Sequence, residues 1–184
     1  MPPGNLTNTP ALFTLLKKLK VFLTEQFVSR GTTLDYGCGT GMFLKTCSDV
    51  GWKARGFEPD PDTRTLVVAK GLKAKTSKAD LGSEKYDIIT LWHVLEHVTD
   101  LDKTLRFFSN TISDKGRLII AVSNYTSAHA RHYKEFWAGY DVPRHIYHFG
   151  VNTLKRLLTK FGFTLEETRP LIKQVCSPRN NRLH

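Results

Sequence analysis

The sequence predicts an α/β protein in which helices cover both faces of a doubly wound, mostly parallel sheet, giving three layers. From residue 32 onward, short apolar segments typical of strands alternate with segments of helical periodicity. Hairpin signals are mostly missing, and Tyr86–Trp92 is an apolar run typical of a strand that is buried on both faces. Strands that are separated by single helices favour right-handed crossovers between parallel neighbours.

Six strands and five helices are predicted. The strands are Thr32–Tyr36, Trp52–Phe57, Leu72–Thr76, Tyr86–Trp92, Arg117–Val122 and Phe163–Thr168. The helices are an amphipathic one over 10–29, one from the glycine cluster to Gly51, one from Asp60-Pro61 to Gly71, Leu101–Ile112 and Thr153–Phe161. Asp60 and Asp100 are expected to cap the helices that follow them, and Ser113–Gly116 is predicted to be a turn.

Composition and charge narrow the class of protein. A chain of 184 residues suits one domain, and no apolar run is long enough to span a membrane. The three cysteines form no CxxC pair and no disulfide framework, and there is no signal peptide, so we expect a cytoplasmic location. The net charge of +10 lies mainly at the two ends of the chain, without the basic stripe typical of a nucleic-acid binder.

A glycine-rich loop follows the first predicted strand, in the segment LDYGCGTG over residues 34–41. Its glycines allow a tight turn and bring backbone N–H groups close to a ligand. Glu58 follows the second strand, where a carboxylate can accept both hydroxyls of a ribose. The dinucleotide fingerprint GxGxxG is not met, because Met42 stands where its third glycine belongs. The pattern therefore disfavours a nicotinamide-dependent dehydrogenase.

Four segments resemble the class I S-adenosylmethionine-dependent methyltransferases, which have a Rossmann-like fold. They are LDYGCGTG, GFEPD, YDIITLWHVLEHVTDL and KGRLIIAVSN, in that order, and the resemblance extends over residues 32 to about 170. It implies one methyltransferase domain over 1–184. Its parts are an N-terminal helix at 1–30, a cofactor-binding core at 31–123, an acceptor-side insertion at 124–150, and a C-terminal helix and strand at 151–184.

The resemblance also implies a place for each part of S-adenosyl-L-methionine, whose product is S-adenosyl-L-homocysteine. The methionyl end would be held by Asp35, Gly37, Cys38, Gly39 and Gly41. Glu58 would bind the ribose. Asp80 would meet the adenine amino group, with Leu81 packed on the ring, although Asp80 also fits an ordinary turn. Trp92 and His93 would line the floor beneath the sulfonium.

An acceptor that is protonated at neutral pH needs a base, for which histidine is the usual residue. Six of the seven histidines follow the fourth and fifth predicted strands: His93, His97, His129, His132, His145 and His148. We take His93, His145 and His148 as the catalytic candidates, and Tyr125, Arg144 and Tyr147 as substrate-binding candidates. The aromatic segment Tyr125–Gly150 fits an acceptor pocket or a hydrophobic lid equally well.

A metal site is the alternative use of residues 93–97. His93-Val94-Leu95-Glu96-His97 resembles the ExxEH segment with which some related enzymes bind a divalent ion, but His93 replaces its first glutamate. Glu96 and His97 also fit a role in capping and packing, and no metal is predicted.

The functional prediction is methyl transfer to a small-molecule acceptor, with an oxygen acceptor favoured. An RNA or protein methyltransferase is one alternative, and a cofactor-binding module without catalysis is the other. The family's sheet normally ends in a hairpin of two strands. Because Leu171–Cys176 is short and the tail after it is polar, we expect the seventh strand to be short or missing.

Overall fold

The computed structural model describes residues 30–81 and 83–170. Five strands form one sheet: β1 (Thr32–Tyr36), β2 (Lys53–Phe57), β3 (Ala74–Lys75), β4 (Tyr86–Trp92) and β5 (Ile112–Ala121). Their order is β3-β2-β1-β4-β5, so the direction of winding reverses between β1 and β4. The predicted doubly wound α/β fold is confirmed. The predicted helix over 10–29 and the strand candidate Leu171–Cys176 lie outside the described residues.

The central strand β1 fixes the register of the sheet. It pairs in parallel with β2 and with β4, and in these pairings Asp35 lies opposite Gly56 and Thr90. The strand β2 pairs in parallel with β3. In β4 five of the seven residues are buried, as its continuous apolar sequence predicts. Parallel pairing brings the carboxyl ends of β1, β2 and β4 to the same edge of the sheet.

Five helices belong to the described residues: α1 (Met42–Asp49), α2 (Pro61–Val68), α3 (Leu101–Thr111), α4 (Ala128–Tyr133) and α5 (Val151–Thr159). The predicted caps are confirmed. The carboxylate of Asp60 accepts the N–H of Thr63 at 2.7 Å, and that of Asp100 accepts the N–H of Lys103 at 3.0 Å. No helix in the part of the chain that the structure describes is both long and apolar enough to cross a membrane.

The described residues divide into two compact units. Residues 30–81, 83–92 and 110–120 form the first, and residues 93–109 and 121–170 form the second. The core of the first unit contains two apolar clusters. One is formed by Phe43, Cys47, Trp52 and Ile88, and the other by Cys38, Leu44 and Val67. The glycine loop is thus anchored through Cys38 to the side chains of α1 and α2.

The second unit contains hydrogen bonds between segments that are distant in sequence. The N–H of Tyr125 donates to the carbonyl oxygen of Phe149 at 3.1 Å, which closes the 124–150 segment at its two ends. The hydroxyl of Ser109 donates to the carbonyl oxygen of Phe161 at 2.6 Å, which links α3 to the turn after α5. The bond between Tyr125 and Phe149 makes 124–150 a closed loop with its own short helix, α4.

Two sequence predictions are wrong. The predicted turn Ser113–Gly116 belongs to the continuous strand β5. Phe163–Thr168 forms no strand. Phe163 and Leu165 are half-buried and their neighbours in the sequence are exposed, so one side of the segment is partly buried. Such partial burial does not require a hydrogen-bonded partner strand.

Candidate functional site

The glycine loop between β1 and α1 is held against the end of β2. The N–H groups of Gly37 and Cys38 both donate to the carbonyl oxygen of Phe57, at 2.8 and 3.0 Å. Gly39 and Gly41 have φ values of +52° and +74°, in the left-handed region that a side chain disfavours. The glycines of the sequence pattern are therefore required by the backbone at these positions.

Glu58, directly after β2, faces this loop. One carboxylate oxygen accepts the N–H of Gly39 at 2.9 Å, and the other accepts the N–H of Asp60 at 3.1 Å. Glu58 is 9% exposed, so its carboxylate is largely shielded from water. Each carboxylate oxygen has a second lone pair, so both can still accept a hydroxyl from a ligand.

Asp35, the second acid of the predicted cofactor site, lies near the end of β1 and is 2% exposed. Its carboxylate accepts the hydroxyl of Thr90, in β4, at 2.9 Å. Asp35 and Glu58 also raise the pKa of the Cys38 thiol. Burial is the main cause and the two carboxylates add to it, which brings that pKa to about 12. The loop cysteine therefore stays a neutral thiol at physiological pH.

The space beside the loop fits a bound cofactor. A Cβ on Gly39 would meet no heavy atom within 4 Å, whereas a Cβ on Gly41 would lie 3.1 Å from Val67 and 3.3 Å from Leu72. The loop is thus open at Gly39 and packed at Gly41. An open loop beside two carboxylates suits a ligand that has a ribose and an ammonium group. These residues fit S-adenosylmethionine.

Asp80 and Leu81 lie in a 3₁₀ turn, Ala79–Leu81, after β3. Asp80 and Ser77 cap each other: the Asp80 carboxylate accepts the N–H of Ser77, and the Ser77 hydroxyl accepts the N–H of Asp80, both at 3.2 Å. Hydrogen bonds from Ser77, and then from Thr76, lower the pKa of Asp80. The Asp80 carboxylate thus stabilises the turn, as the sequence also allowed. Leu81 is buried.

Trp92 closes β4. Its ring meets that of Phe43 edge-on, with 5.3 Å between the centroids, and packs against the first apolar cluster. The indole is therefore fixed by the core of the first unit.

His93, the next residue, belongs to the second unit and has a φ of +57°. Its N–H donates to the carbonyl oxygen of Ala121 at 2.9 Å. Its Nδ1 lies 3.6 Å from a carboxylate oxygen of Glu96, an ion-pair distance, and its side chain is 43% exposed. A half-exposed imidazole on a strained backbone, beside a buried acid, is an arrangement typical of functional sites.

Three other histidines of the second unit bond to backbone carbonyl oxygens, each at 2.9 Å. Nδ1 of His97 bonds to Arg144, Nδ1 of His145 to Gly139, and Nε2 of His148 to Tyr140. Because a carbonyl oxygen only accepts, each of these ring nitrogens has to carry the proton. The rings of His97 and His145 are 4.7 Å apart.

The predicted substrate-binding residues also lie in the second unit. Arg144 pairs with Asp141 at 2.7 Å, an ion pair in which the arginine side chain is 67% exposed. The N–H groups of Arg144 and His145 also donate to the carbonyl oxygen of Asp141, at 2.9 and 3.1 Å, so the ion pair joins two residues of one turn. Tyr125 is 39% exposed, and the ring of Tyr147 lies 6.1 Å from that of Phe149.

The metal alternative finds no support in the geometry. No group of three or more histidine, cysteine, aspartate or glutamate side chains within 30–81 and 83–170 is arranged to hold a metal ion. Nδ1 of His97 instead bonds to the carbonyl oxygen of Arg144.

A family model described as a methyltransferase domain matches residues 11–168. The chain belongs to this methyltransferase family. S-adenosylmethionine is the cofactor of the family, which agrees with the fit of the glycine loop.

Relatives and solved structures resemble this methyltransferase to different extents. A ubiquinone biosynthesis O-methyltransferase of Hydrogenovibrio crunogenus is 24% identical over 66% of this chain and 53% of its own length. One of Brucella anthropi is 31% identical over 50% of this chain and 41% of its own. The chain thus spans about half the length of the curated relatives it matches. A SAM-dependent methyltransferase from Archaeoglobus fulgidus has the same fold, with a TM-score of 0.64 at 22% identity, over 82% of this chain and 68% of that one.

The contact between Glu96 and His93 was not predicted from the sequence. The sequence allowed Glu96 to bind a metal, to cap or to pack, and in the structure its buried side chain contacts His93 and Ser123. The spacing of His93 and Glu96, three residues apart, was the available signal, but it does not show which of the two is buried.

Proposed function

We propose that the chain transfers the methyl group of S-adenosylmethionine to a small-molecule acceptor, with an oxygen atom as the favoured acceptor. The hydrogen bond between Gly39 and Glu58 carries the proposal, because it holds the glycine loop against the acid that we assign to the ribose, beside open space. The curated relatives add the oxygen preference, since their names describe O-methyltransferases.

No nucleic-acid partner is proposed. From the cysteine usage we propose a cytoplasmic location.

The cofactor-binding assignment uses residues of the first unit. We assign the methionyl end to Asp35 and to Gly37, Cys38, Gly39 and Gly41, and the ribose to Glu58. Asp80 and Leu81 are assigned to the adenine, with Asp80 contributing the lone pairs that its turn leaves available. Trp92 is assigned to the floor below the sulfonium, together with the first residue of the second unit, His93.

When bound, S-adenosylmethionine supplies a methyl group on a positively charged sulfur, which keeps the electron pair of the broken carbon–sulfur bond. The protein then has to orient an acceptor and remove its proton. We propose that the acceptor hydroxyl gives its proton to His93 as its oxygen bonds to the methyl carbon. His93 is favoured over His145 and His148 because a carboxylate, and not a carbonyl oxygen, lies beside it. Tyr125, Arg144 and Tyr147 remain our candidates for binding the acceptor.

The test is calorimetry of the full chain with S-adenosylmethionine, S-adenosylhomocysteine and NAD, followed by transfer of a labelled methyl group to panels of phenols, carboxylic acids and amines. We expect binding of both adenosyl ligands, no binding of NAD, and transfer to a hydroxyl acceptor. Binding of NAD alone would contradict the proposed cofactor site. Cofactor binding without transfer to any panel member would indicate a module without catalysis.

A further inference from the structure

Glu96 is a buried acid to which the proposed function assigns no part. Its side chain is 1% exposed. One carboxylate oxygen accepts the N–H of Ser123 at 2.7 Å, and the carbonyl oxygen of Glu96 accepts the N–H groups of Ile146 and Tyr147 at 2.8 and 3.3 Å. Its position is therefore fixed by two other segments of the second unit.

The charge of this carboxylate is only partly compensated. Its second oxygen, Oε2, is buried and has no hydrogen-bond partner among the described residues. Burial acts to raise the pKa of Glu96, but attraction to His93 and the N–H of Ser123 outweigh burial, so the pKa lies below its usual value. The acid is thus ionised at neutral pH. A buried negative charge without full compensation favours a positive charge beside it.

We propose that Glu96 positions His93 as the proton acceptor of the reaction: its buried carboxylate holds the Nδ1–H side of the imidazole and leaves Nε2 facing the acceptor as a base. The left-handed backbone of His93 and its N–H bond to Ala121 fix the root of the side chain. The carboxylate then fixes the ring and its tautomer, and it stabilises the imidazolium that forms when the acceptor proton arrives on Nε2. This inference rests on the proposed function, since it needs a proton to leave the acceptor.

Other catalytic histidines are oriented in the same way by a third group. The 3.6 Å separation between Nδ1 and Oε1 is longer than a hydrogen bond, and such contacts often tighten only when substrate is bound. The other two candidate bases lack a carboxylate partner at this distance among the described contacts.

The experiment compares Glu96→Gln with Glu135→Gln, which makes the same change at an exposed glutamate of the second unit. Long-range proton–nitrogen NMR of ring-labelled histidine reads the tautomer of His93, assigned by its absence in His93→Gln. We expect the Nδ1–H form in the wild type and in Glu135→Gln, and a mixture of forms in Glu96→Gln. Affinity for S-adenosylmethionine should change less than about twofold, and kcat should fall about tenfold or more with little change in the acceptor KM.

Two results would overturn the proposal: an Nε2–H tautomer in the wild type, or an unchanged tautomer in Glu96→Gln. The wild-type spectrum decides even where Glu96→Gln does not fold. A failure of the proposed function shows separately, as a wild-type protein that methylates no acceptor while its His93 tautomer is still measurable.

Discussion

The N–H of Gly39 and the carboxylate of Glu58 form a 2.9 Å hydrogen bond across 19 residues of sequence. The other carboxylate oxygen bonds to the N–H of Asp60, so the acid is oriented from both sides. The loop and the acid, which the sequence shows as two separate motifs, are one unit before any ligand binds. A preorganised site loses less entropy when it binds its ligand.

Replacement of Glu58 by alanine is expected to weaken S-adenosylmethionine binding by about tenfold or more, because hydrogen bonds to a charged group contribute about 1.5–3 kcal/mol. Part of the loss comes from the ribose contact and part from the freed loop. Calorimetry measures the affinity. Asp62→Ala, at an exposed position on α2, removes the same charge nearby and should leave the affinity unchanged. Equal affinities for Glu58→Ala and the wild type would refute the placement of the ribose.

Alanine at Gly39 and at Gly41 should separate binding from folding. Both positions have positive φ, which costs an alanine about 1–2 kcal/mol. At Gly39 the added methyl group meets no other atom, so the backbone strain is the whole loss of stability. The methyl group occupies the space that we assign to the cofactor, and it should therefore abolish cofactor binding. At Gly41 the methyl group also meets Val67 and Leu72, so the loss of stability should be larger.

Chemical denaturation and calorimetry check both variants together. The expected order of unfolding free energies is wild type, then Gly39→Ala, then Gly41→Ala. If Gly39→Ala bound S-adenosylmethionine as tightly as the wild type, the cofactor would not lie beside Gly39.

Patterns with a local physical cause were predicted from the sequence. The caps Asp60 and Asp100 act within their own helix turn, and Tyr86–Trp92 is buried because a central parallel strand is covered on both sides. The sequence order of strands and helices was sufficient to predict a doubly wound sheet.

Features that depend on distant partners were not predicted. Phe163–Thr168 has the alternation of a strand, but pairing needs a neighbouring edge, which no local pattern reveals. The buried position of Glu96 depends on the N–H groups of Ser123, Ile146 and Tyr147, which lie 27 or more residues further along the chain. The capping partners of Asp80 were local, and the sequence accordingly allowed a turn there.

Asp87 should make stability depend on pH. Its carboxylate accepts the N–H and the hydroxyl of Thr32, at 2.8 and 3.0 Å, and the hydroxyl of Ser113 at 3.1 Å. The backbone bond to Thr32 is the main cause that lowers its pKa below the usual 3.8. A lowered folded-state pKa stabilises the protein above the unfolded value and loses this effect as pH falls through the folded value.

We therefore expect Asp87→Asn to lower the free energy of unfolding by about 1 kcal/mol at pH 7. The difference from the wild type should shrink below about pH 4, where the wild-type carboxylate becomes protonated. Urea denaturation between pH 3 and pH 8 measures it, with Asp62→Asn as a control without these bonds. A difference that stays constant over this range would mean that the charge of Asp87 has no part in it.

Glutamine at each candidate base should rank the three histidines. His93→Gln is expected to reduce kcat by about 10²-fold or more, because it removes the general base, while S-adenosylmethionine affinity changes little. His145→Gln and His148→Gln each alter a bond to a backbone carbonyl oxygen, so their main effect should be on the 124–150 loop. We expect these two variants to raise the acceptor KM more than they lower kcat. Steady-state kinetics at saturating S-adenosylmethionine separates the two effects.

His129→Gln, at an exposed position on α4, provides the control. If His145→Gln or His148→Gln lost as much kcat as His93→Gln with an unchanged KM, the base would lie in the 124–150 loop, and Glu96 would then act on stability alone.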